Sequence, residues 1–306
     1  MNQKVLLLSP HGFIGSAIER NWRLTNMPLK TLSRNDLDFR NSSDLTSLLR
    51  EINPSIVINA AGRVAGIQGN IDNPADLLML NVEVSTSVLR ACHEANIPRL
   101  IQFASACVYP VNEFGPSKTC EIGGGHIEDT SLGYASAKIL AIEAVRAIRK
   151  QYGRDWLTLI PTNLYGTGDW GHGTSGHVIS MLLEKFVNAK KLGSSSVTVW
   201  GDGKSKRNFL HVDDLSSAVE FIVSSSQIDQ PIVNLSGDLE IEVTELAFLI
   251  REITGFGGEI LFDTSKPNGA RRKQLDDSYL RNMGWMPNTE LKEGITQYLK
   301  DYLERN

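Results

Sequence analysis

Short aliphatic and β-branched runs alternate with longer segments of helical periodicity in the first half of the chain. The short runs predict strands and the longer segments predict amphipathic helices. Strands that alternate with helices at this spacing indicate right-handed βαβ units, so we expect an α/β fold with a doubly wound parallel sheet. The predicted strands are Val5–Leu8, Leu29–Leu32, Ile56–Asn59, Leu100–Ala104 and Leu157–Pro161, and the predicted helices are Phe13–Leu24, Ser43–Glu51, Ala75–Ala95 and Tyr134–Gln151.

The pattern changes after Tyr165. Glycine and polar residues dominate Gly166–Gly176, which predicts a mobile loop. A strand over Asn208–Val212 and a helix over Asp213–Ser224 predict a return to the sheet. The remaining regular segments indicate a smaller α/β part. They are His177–Ala189, Val197–Trp200, Ile232–Leu235, Val243–Thr254, Ile260–Phe262 and Thr289–Leu303.

A length of 306 residues suits either one large α/β unit or two domains that share a core. The change of pattern along the chain predicts two domains. We expect a Rossmann-type domain over 1–165 plus about 208–230. A smaller C-terminal α/β substrate domain would cover about 166–207 plus 231–306.

Charge and composition restrict the class of protein. The formal net charge is −4, so we expect no nucleic-acid partner and no attraction to an anionic membrane surface. The first apolar run is too short for a signal peptide, and no stretch reaches the roughly 18 apolar residues of a membrane span. Three cysteines without zinc-like spacing predict neither disulfides nor a metal site. We expect a cytoplasmic protein.

The segment from Ser9 to Gly15 lies between the first predicted strand and helix, where a dinucleotide pyrophosphate meets a helix N-terminus. Gly12 would let the backbone approach phosphate, and Gly15 would let the helix pack closely on the sheet. A glycine is common at the position of Ser9 and is missing here. An ordinary βα turn is the alternative, but the strand–turn–helix placement favours dinucleotide binding.

The end of the second strand bears on which dinucleotide binds. An NAD enzyme usually places an acid there for the ribose 2′-hydroxyl, whereas an arginine suits a 2′-phosphate. Arg34 stands at this point and Asp36 follows too late to be the obvious acid, so Arg34 and His11 favour NADP(H). The alternative is a solvated loop arginine.

Tyr134 and Lys138 lie four residues apart at the start of a predicted helix, which places them on one face. We expect the ammonium to lower the pKa of the phenol toward working pH. Ser105 ends the preceding strand, at the carboxyl edge where ligands bind in open sheets. The three residues together predict carbonyl reduction, with Ser105 holding the oxygen and Tyr134 supplying a proton.

Their positions in the sequence do not decide whether Cys107 and His177 are catalytic or structural residues. If the backbone stays extended after Ser105, Cys107 points to the same side, where its thiol could act as acid or base. A small buried hydrophobe is the equal alternative. His177 fits a capping or core histidine. Positively charged residues concentrate in the second half of the chain, where they suit a diphosphate ligand. They are Lys185, Arg207, Lys266, Arg271, Arg272 and Lys273. We expect Arg272 and Lys273 to be solvated surface residues instead.

The chain resembles the extended short-chain dehydrogenases/reductases, and within them the 3,5-epimerase/4-reductases of GDP-4-keto-6-deoxy sugars. The resemblance runs from the phosphate loop to Trp285. It rests on Ser105–Pro110, Pro161–Gly166, Gly176–Ile179, Val199–Gly201, Arg207–Asp214 and Phe262–Pro267.

The resemblance implies NADPH-dependent epimerisation at C3 and C5 and reduction at C4 of a GDP-4-keto-6-deoxy-hexose, giving GDP-L-fucose. It assigns reduction to Ser105, Tyr134 and Lys138, and epimerisation to Cys107 and His177. It also implies a homodimer through helices 75–95 and 134–151. The cofactor-binding residues that it implies are Ser9, His11, Gly12, Phe13, Ile14, Gly15, Arg34, Asn41, Ala60, Ala61, Tyr134, Lys138, Pro161, Asn163, Leu164 and His177. The residues that would face the GDP-sugar are Asn163, Lys185, Trp200, Arg207 and Lys266.

Three departures from the family pattern bear on cofactor and sugar rather than on chemistry. Ser9 replaces a glycine, and His11 and Lys185 stand where arginine is usual. The alternatives are therefore a sister epimerase/reductase on another GDP-4-keto sugar (a deoxyheptose or a 3,6-dideoxyhexose) or a C4 reductase alone. A non-catalytic nucleotide-sensing protein is less consistent with an intact Tyr134–Lys138 pair.

Overall fold

The computed structural model describes residues 4–111, 115–170, 176–226, 228–266 and 268–305. Strands and helices alternate through the first half, as the hydrophobic pattern predicts. The elements there are β1 (Val5–Leu8), α1 (Phe13–Asn21), β2 (Leu29–Leu32), α2 (Ser42–Ile52), β3 (Ile56–Asn59), α3 (Ile67–Asp72), α4 (Pro74–Glu94), β4 (Arg99–Phe103), α5 (Leu132–Tyr152) and β5 (Asp155–Pro161).

The second half adds seven strands and five helices within the described residues. Its elements are β6 (Asn163–Tyr165), α6 (Val178–Lys191), β7 (Ser196–Trp200), β8 (Lys206–His211), α7 (Val212–Ser224), β9 (Ile232–Leu235), β10 (Glu240–Glu242), α8 (Val243–Thr254), β11 (Glu259–Asp263), β12 (Arg272–Lys273), α9 (Ser278–Asn282) and α10 (Leu291–Arg305). The predicted loop over Gly166–Gly176 and the motif ending at Pro267 fall partly outside the described residues, at 171–175 and at 267.

A six-stranded parallel sheet in the order β2-β1-β3-β4-β5-β9 forms the centre of the molecule. Successive residues of β1 point to opposite faces, and both faces are covered. Val5 and Leu7 pack in a core with α1 and α7, while Leu6 and Leu8 pack in a second core with α2 and α4. This arrangement confirms the predicted Rossmann-type, doubly wound fold.

A smaller region lies beyond the central sheet. Strand β8 pairs with β10, β12 and β6, and β7 pairs with β11 in a separate ribbon. Helices α6, α8 and α10 bury these strands in a third core that contains Phe186, Ile250 and Tyr298. Within the described residues, no helix has the length and apolar character needed to cross a membrane.

Two strand assignments from the sequence are wrong. The strand predicted at Asn208–Val212 is β8, which pairs in the smaller sheet rather than in the central one. The strand Ile232–Leu235, predicted for the smaller part, is β9 and pairs with β5 in the central sheet. Periodicity identifies a strand but not its partner. Helix α7 does return to the central sheet, where Leu215 and Val219 enter its core.

Candidate active site

The turn between β1 and α1 leaves no space for a side chain at Gly15. A Cβ there would lie 2.1 Å from the carbonyl oxygen of Ser9. Ser9 takes the left-handed conformation, with φ of 66°, that glycine adopts at lower cost. Gly12 caps α1 with extended backbone and without a side-chain hydrogen bond. The first N–H groups of α1 therefore have no side-chain acceptor, and these donors fit a pyrophosphate.

The end of β2 places a cation in solvent. Arg34 is exposed. The Asp36 carboxylate accepts hydrogen bonds from the Ser33 backbone N–H at 2.8 Å and from its Oγ at 2.7 Å, and these bonds, with a contribution from His11, lower the pKa of Asp36. Ser33 thus holds Asp36 in the turn, while Arg34 is left exposed for an anionic group.

The other residues implied for the cofactor follow the carboxyl ends of the central strands. The Ala60 N–H donates to Leu8 and the Ala61 N–H donates to the Asn59 side chain, just after β3. Asn41 caps α2 by accepting from the Asp44 N–H. Of the remaining residues implied for the cofactor, Pro161 ends β5, and Asn163 and Leu164 lie in β6.

Tyr134 and Lys138 lie one turn apart on α5, and both are buried. Lys138 Nζ donates to the Phe103 carbonyl at 3.2 Å and lies 5.6 Å from the centre of the Tyr134 ring. The Gly62 backbone approaches the same ammonium, since a Cβ there would lie 3.4 Å from Nζ. The hydrophobic periodicity of the sequence did not predict that Gly62 lies beside Lys138.

Burial controls the protonation of this pair. It raises the pKa of Tyr134 well above its usual range and lowers the pKa of Lys138 to about 8. The expectation that Lys138 brings the Tyr134 pKa toward neutral is not met in this structure, because burial, with a smaller contribution from the charge of Cys107, raises it. Tyr134 keeps its proton at neutral pH and is suited to donate it.

Cys107 lies in a 3₁₀ turn over Ala106–Val108, so the backbone is not extended after Ser105 as the sequence argument assumed. The Cys107 thiol still lies close enough to the Ser105 side chain for that side chain to lower its pKa. Cys107 and Tyr134 share one buried apolar cluster. Burial raises the pKa of the Cys107 thiol, and the Ser105 hydrogen bond and the charges of Lys273 and Lys138 partly offset that rise.

Lys273 and Arg272 are not solvated as the sequence predicted. Lys273 Nζ lies 3.0 Å from a Glu128 carboxylate oxygen, and Arg272 forms two hydrogen bonds with the Glu240 carboxylate at 2.6 and 3.0 Å. Their partners lie far away in sequence, so the pattern of charges carried no sign of them. Glu128 also interacts with the buried guanidinium of Arg207. Glu128, Arg272 and Lys273 line the same cavity as Cys107, so this group of charges lies beside the thiol.

His177 caps α6, and its ring lies 6.5 Å from the Phe13 ring of the phosphate turn. Its Nδ1 lies 2.8 Å from Asp169 Oδ1. Burial alone would lower the pKa of His177, but the hydrogen bond and charge of Asp169 raise it above the ordinary value. Sequence reasoning missed Asp169, which belongs to the segment predicted as a mobile loop.

Three of the residues implied for the GDP-sugar form one cluster. The Nζ atoms of Lys185 and Lys266 each lie 5.5 Å from the centre of the Trp200 ring. Asn163 instead donates to the Asn208 carbonyl on the neighbouring strand at 2.8 Å, and Arg207 lies with Glu128. Lys185, Lys266 and Trp200 therefore form one neighbourhood. Arg207 lies toward Cys107 through Glu128, and Asn163 lies against β8.

Comparisons with known proteins identify the family of this chain. A model of the NAD dependent epimerase/dehydratase family matches residues 6–236. GDP-L-fucose synthase 1 of Arabidopsis thaliana is 36% identical over 310 residues, which cover 99% of this chain and 95% of that protein.

Two solved structures from Campylobacter jejuni also resemble the chain. A GDP-6-OMe-4-keto-L-xylo-heptose reductase has a TM-score of 0.91 at 26% identity and covers 100% of this chain and 99% of its own. A GDP-mannoheptose C4 reductase with NADP bound has a TM-score of 0.85 at 27% identity and covers 99% of each chain. Because the family model spans most of the chain and the plant relative nearly all of it, the chain belongs to the NAD dependent epimerase/dehydratase family.

Proposed function

We propose that this enzyme converts GDP-4-keto-6-deoxy-D-mannose to GDP-L-fucose, by epimerising C3 and C5 and then reducing C4. The observation that carries the proposal is that Cys107 shares one buried cluster with Tyr134, beside Lys138 on the same helix and near Ser105 at the end of β4. A plain reductase needs the last three residues but has no use for a thiol beside its proton donor.

The C4 ketone acidifies the protons on C3 and C5, so each can be removed by a base and returned from the opposite face. Cys107 removes the proton as a thiolate, and His177 delivers one to the carbon from the other side. Each epimerisation breaks and forms one C–H bond and leaves the sugar at the same oxidation level.

Reduction follows at C4. Ser105 holds the carbonyl oxygen and Tyr134 protonates it, while Lys138 stabilises the resulting phenolate. NADPH supplies the hydride when bound. The raised Tyr134 pKa suits this direction of reaction, because the phenol is loaded with its proton before the sugar arrives.

NADP(H) is the cofactor that the residues at the first turn fit. The free N–H groups of α1 would hold the pyrophosphate, and Arg34 with His11 would hold the 2′-phosphate. The NADP-bound relative supports this assignment. We further propose that the Trp200 cluster and Arg207 bind the GDP portion of the substrate, where their cations would neutralise the diphosphate.

We also propose a homodimer in the cytoplasm. Helices α4 and α5 pack against each other and leave Met79, Leu132 and Leu140 exposed, a surface that a second copy would cover. All three cysteines are free, and the mechanism needs Cys107 in its reduced form, which a reducing compartment preserves.

Oxidation of NADPH in the presence of GDP-4-keto-6-deoxy-D-mannose tests the function, with the product identified by NMR. We expect stoichiometric oxidation and GDP-L-fucose. Cys107→Ser should abolish deuterium uptake from solvent at C3 and C5, and uptake at the wild-type rate would remove Cys107 from the mechanism.

A second candidate is the same chemistry on a GDP-4-keto-heptose, which the likeness to the heptose reductase favours. Turnover of a keto-heptose without turnover of the deoxyhexose would replace the first substrate with the second and retain the catalytic residues.

A further inference from the structure

Asp169 is held rigidly beside His177. Its side chain is 6% exposed. Its N–H donates to the Gly166 carbonyl at 3.1 Å, and its own carbonyl accepts a hydrogen bond from the Tyr298 hydroxyl of α10. The backbone of Asp169 is therefore fixed from two sides, independently of its carboxylate.

The carboxylate itself has one hydrogen-bond partner among the described residues. Oδ1 lies 2.8 Å from His177 Nδ1, while the buried Oδ2 has none. A buried carboxylate with an unsatisfied oxygen is costly unless a positive charge lies beside it. An imidazolium at His177 supplies that charge. Among the described residues, Tyr298 is the other titratable group in direct contact with Asp169, and it stays neutral because burial raises its pKa.

We propose, on the basis of the function given above, that Asp169 is the positioning residue for His177. Its carboxylate holds Nδ1–H of His177, fixes the ring so that Nε2 is the nitrogen free for the sugar, and stabilises the protonated ring as the acid of epimerisation. When Nε2–H delivers its proton, the N–H bond breaks, a C–H bond forms on the sugar, and the neutral ring keeps Nδ1–H on Asp169.

The test is the Asp169→Asn substitution, which preserves shape and removes the charge. An NMR titration of the His177 Cε1–H resonance in the substrate-free enzyme should show a midpoint above 6.5 in the wild type and a lower midpoint in the variant. Deuterium uptake at C3 and C5 should fall about tenfold or more, and its rate should decline at a lower pH. Asp169→Glu, which keeps the charge, should restore part of both.

Tyr298→Phe is the matched control, because it removes the bond to the Asp169 backbone and leaves the carboxylate. It should leave the His177 midpoint unchanged. An equal midpoint in wild type and Asp169→Asn would overturn the proposal, whatever the substrate. If Asp169→Asn does not fold, a wild-type midpoint at or below 6.5 overturns it in the same way. Since the titration needs no turnover, failure of the proposed function gives a separate result, an enzyme with an elevated His177 midpoint and no activity on the keto sugar.

Discussion

Protonation of single residues decides how this site works, and Lys138 gives the clearest consequence. Its pKa is lowered to about 8 because it is buried, so it is charged below that pH and neutral above it. In the proposed mechanism the ammonium stabilises the Tyr134 phenolate after proton transfer. We therefore expect the reduction step to slow as the pH rises through about 8.

Single-turnover NADPH oxidation across pH 6–10 measures this step. Lys138→Met should lose reduction at every pH while retaining deuterium uptake at C3 and C5. A reduction rate that stays constant to pH 10 would contradict the role given to the ammonium.

Arg34 is the second residue whose charge should be measurable. Arg34→Ala should weaken NADPH binding about tenfold or more, because a charge-assisted hydrogen bond contributes about 1.5–3 kcal/mol. NADH, which has no 2′-phosphate, should bind the variant and the wild type equally. Cofactor fluorescence titration gives both constants, and an equal loss for both cofactors would show that Arg34 does not read the 2′-phosphate.

Lys273 should set the reactivity of the Cys107 thiol. Its charge lowers the pKa of Cys107, so Lys273→Met should move alkylation of Cys107 by iodoacetamide to higher pH and slow it about two- to fivefold at pH 8. The exposed Cys120 is replaced by serine throughout, and Arg272→Met is the matched control because that cation pairs with Glu240. Equal alkylation rates in the two variants would exclude Lys273.

The site residues that the sequence located and those that it missed differ in the sequence separation between the residues that contact each other. Tyr134 and Lys138 are four residues apart on one helix, and Ser105 ends a strand, so local periodicity places all three. Lys273 reaches Cys107 only after the chain has returned through β12, and Tyr298 reaches Asp169 from α10. Contacts over such separations depend on the fold, which periodicity does not specify.

At the scale of elements, the boundaries of the strands were predicted better than their partners. Val5–Leu8, Leu29–Leu32 and Ile56–Asn59 have the predicted limits. β8 and β9 went to the opposite sheets from those expected. Four consecutive buried residues in β9 fit either sheet, and only the crossover through α7 decides between them.

The joint between β1 and α1 offers a test at the same scale. Gly15→Ala puts a Cβ within 2.1 Å of the Ser9 carbonyl, so α1 must move away from the turn. We expect a loss of about 1–3 kcal/mol in the free energy of unfolding, together with weaker NADPH binding. Gly12→Ala is the matched control for stability, because its Cβ would lie 3.5 Å from the nearest atom at an ordinary φ of −78°. Equal unfolding midpoints in urea would refute this account of the turn.

At the scale of the molecule, the proposed reaction site draws residues from both regions at once. Helix α5 supplies Tyr134 and Lys138, and the turn after β4 supplies Cys107. His177 caps α6, and the smaller strands β7 and β8 supply Trp200 and Arg207. The fold class followed from the alternation of strands and helices. The contact between the two regions could not be predicted from that alternation. It depends on segments such as β12, which are too short to give a periodic pattern.

The proposed dimer follows from the same whole-molecule view. Met79 and Leu140 are 58% and 39% exposed on α4 and α5, a cost that a second copy would remove by covering both helices. Met79→Glu combined with Leu140→Glu should therefore convert a dimer to a monomer in sedimentation at micromolar concentration. Leu192→Glu, at an 81% exposed position after α6, is the matched control and should remain dimeric. A monomeric wild type would contradict the proposed assembly, and since the catalytic residues described above all lie within one chain, it would leave the chemistry intact.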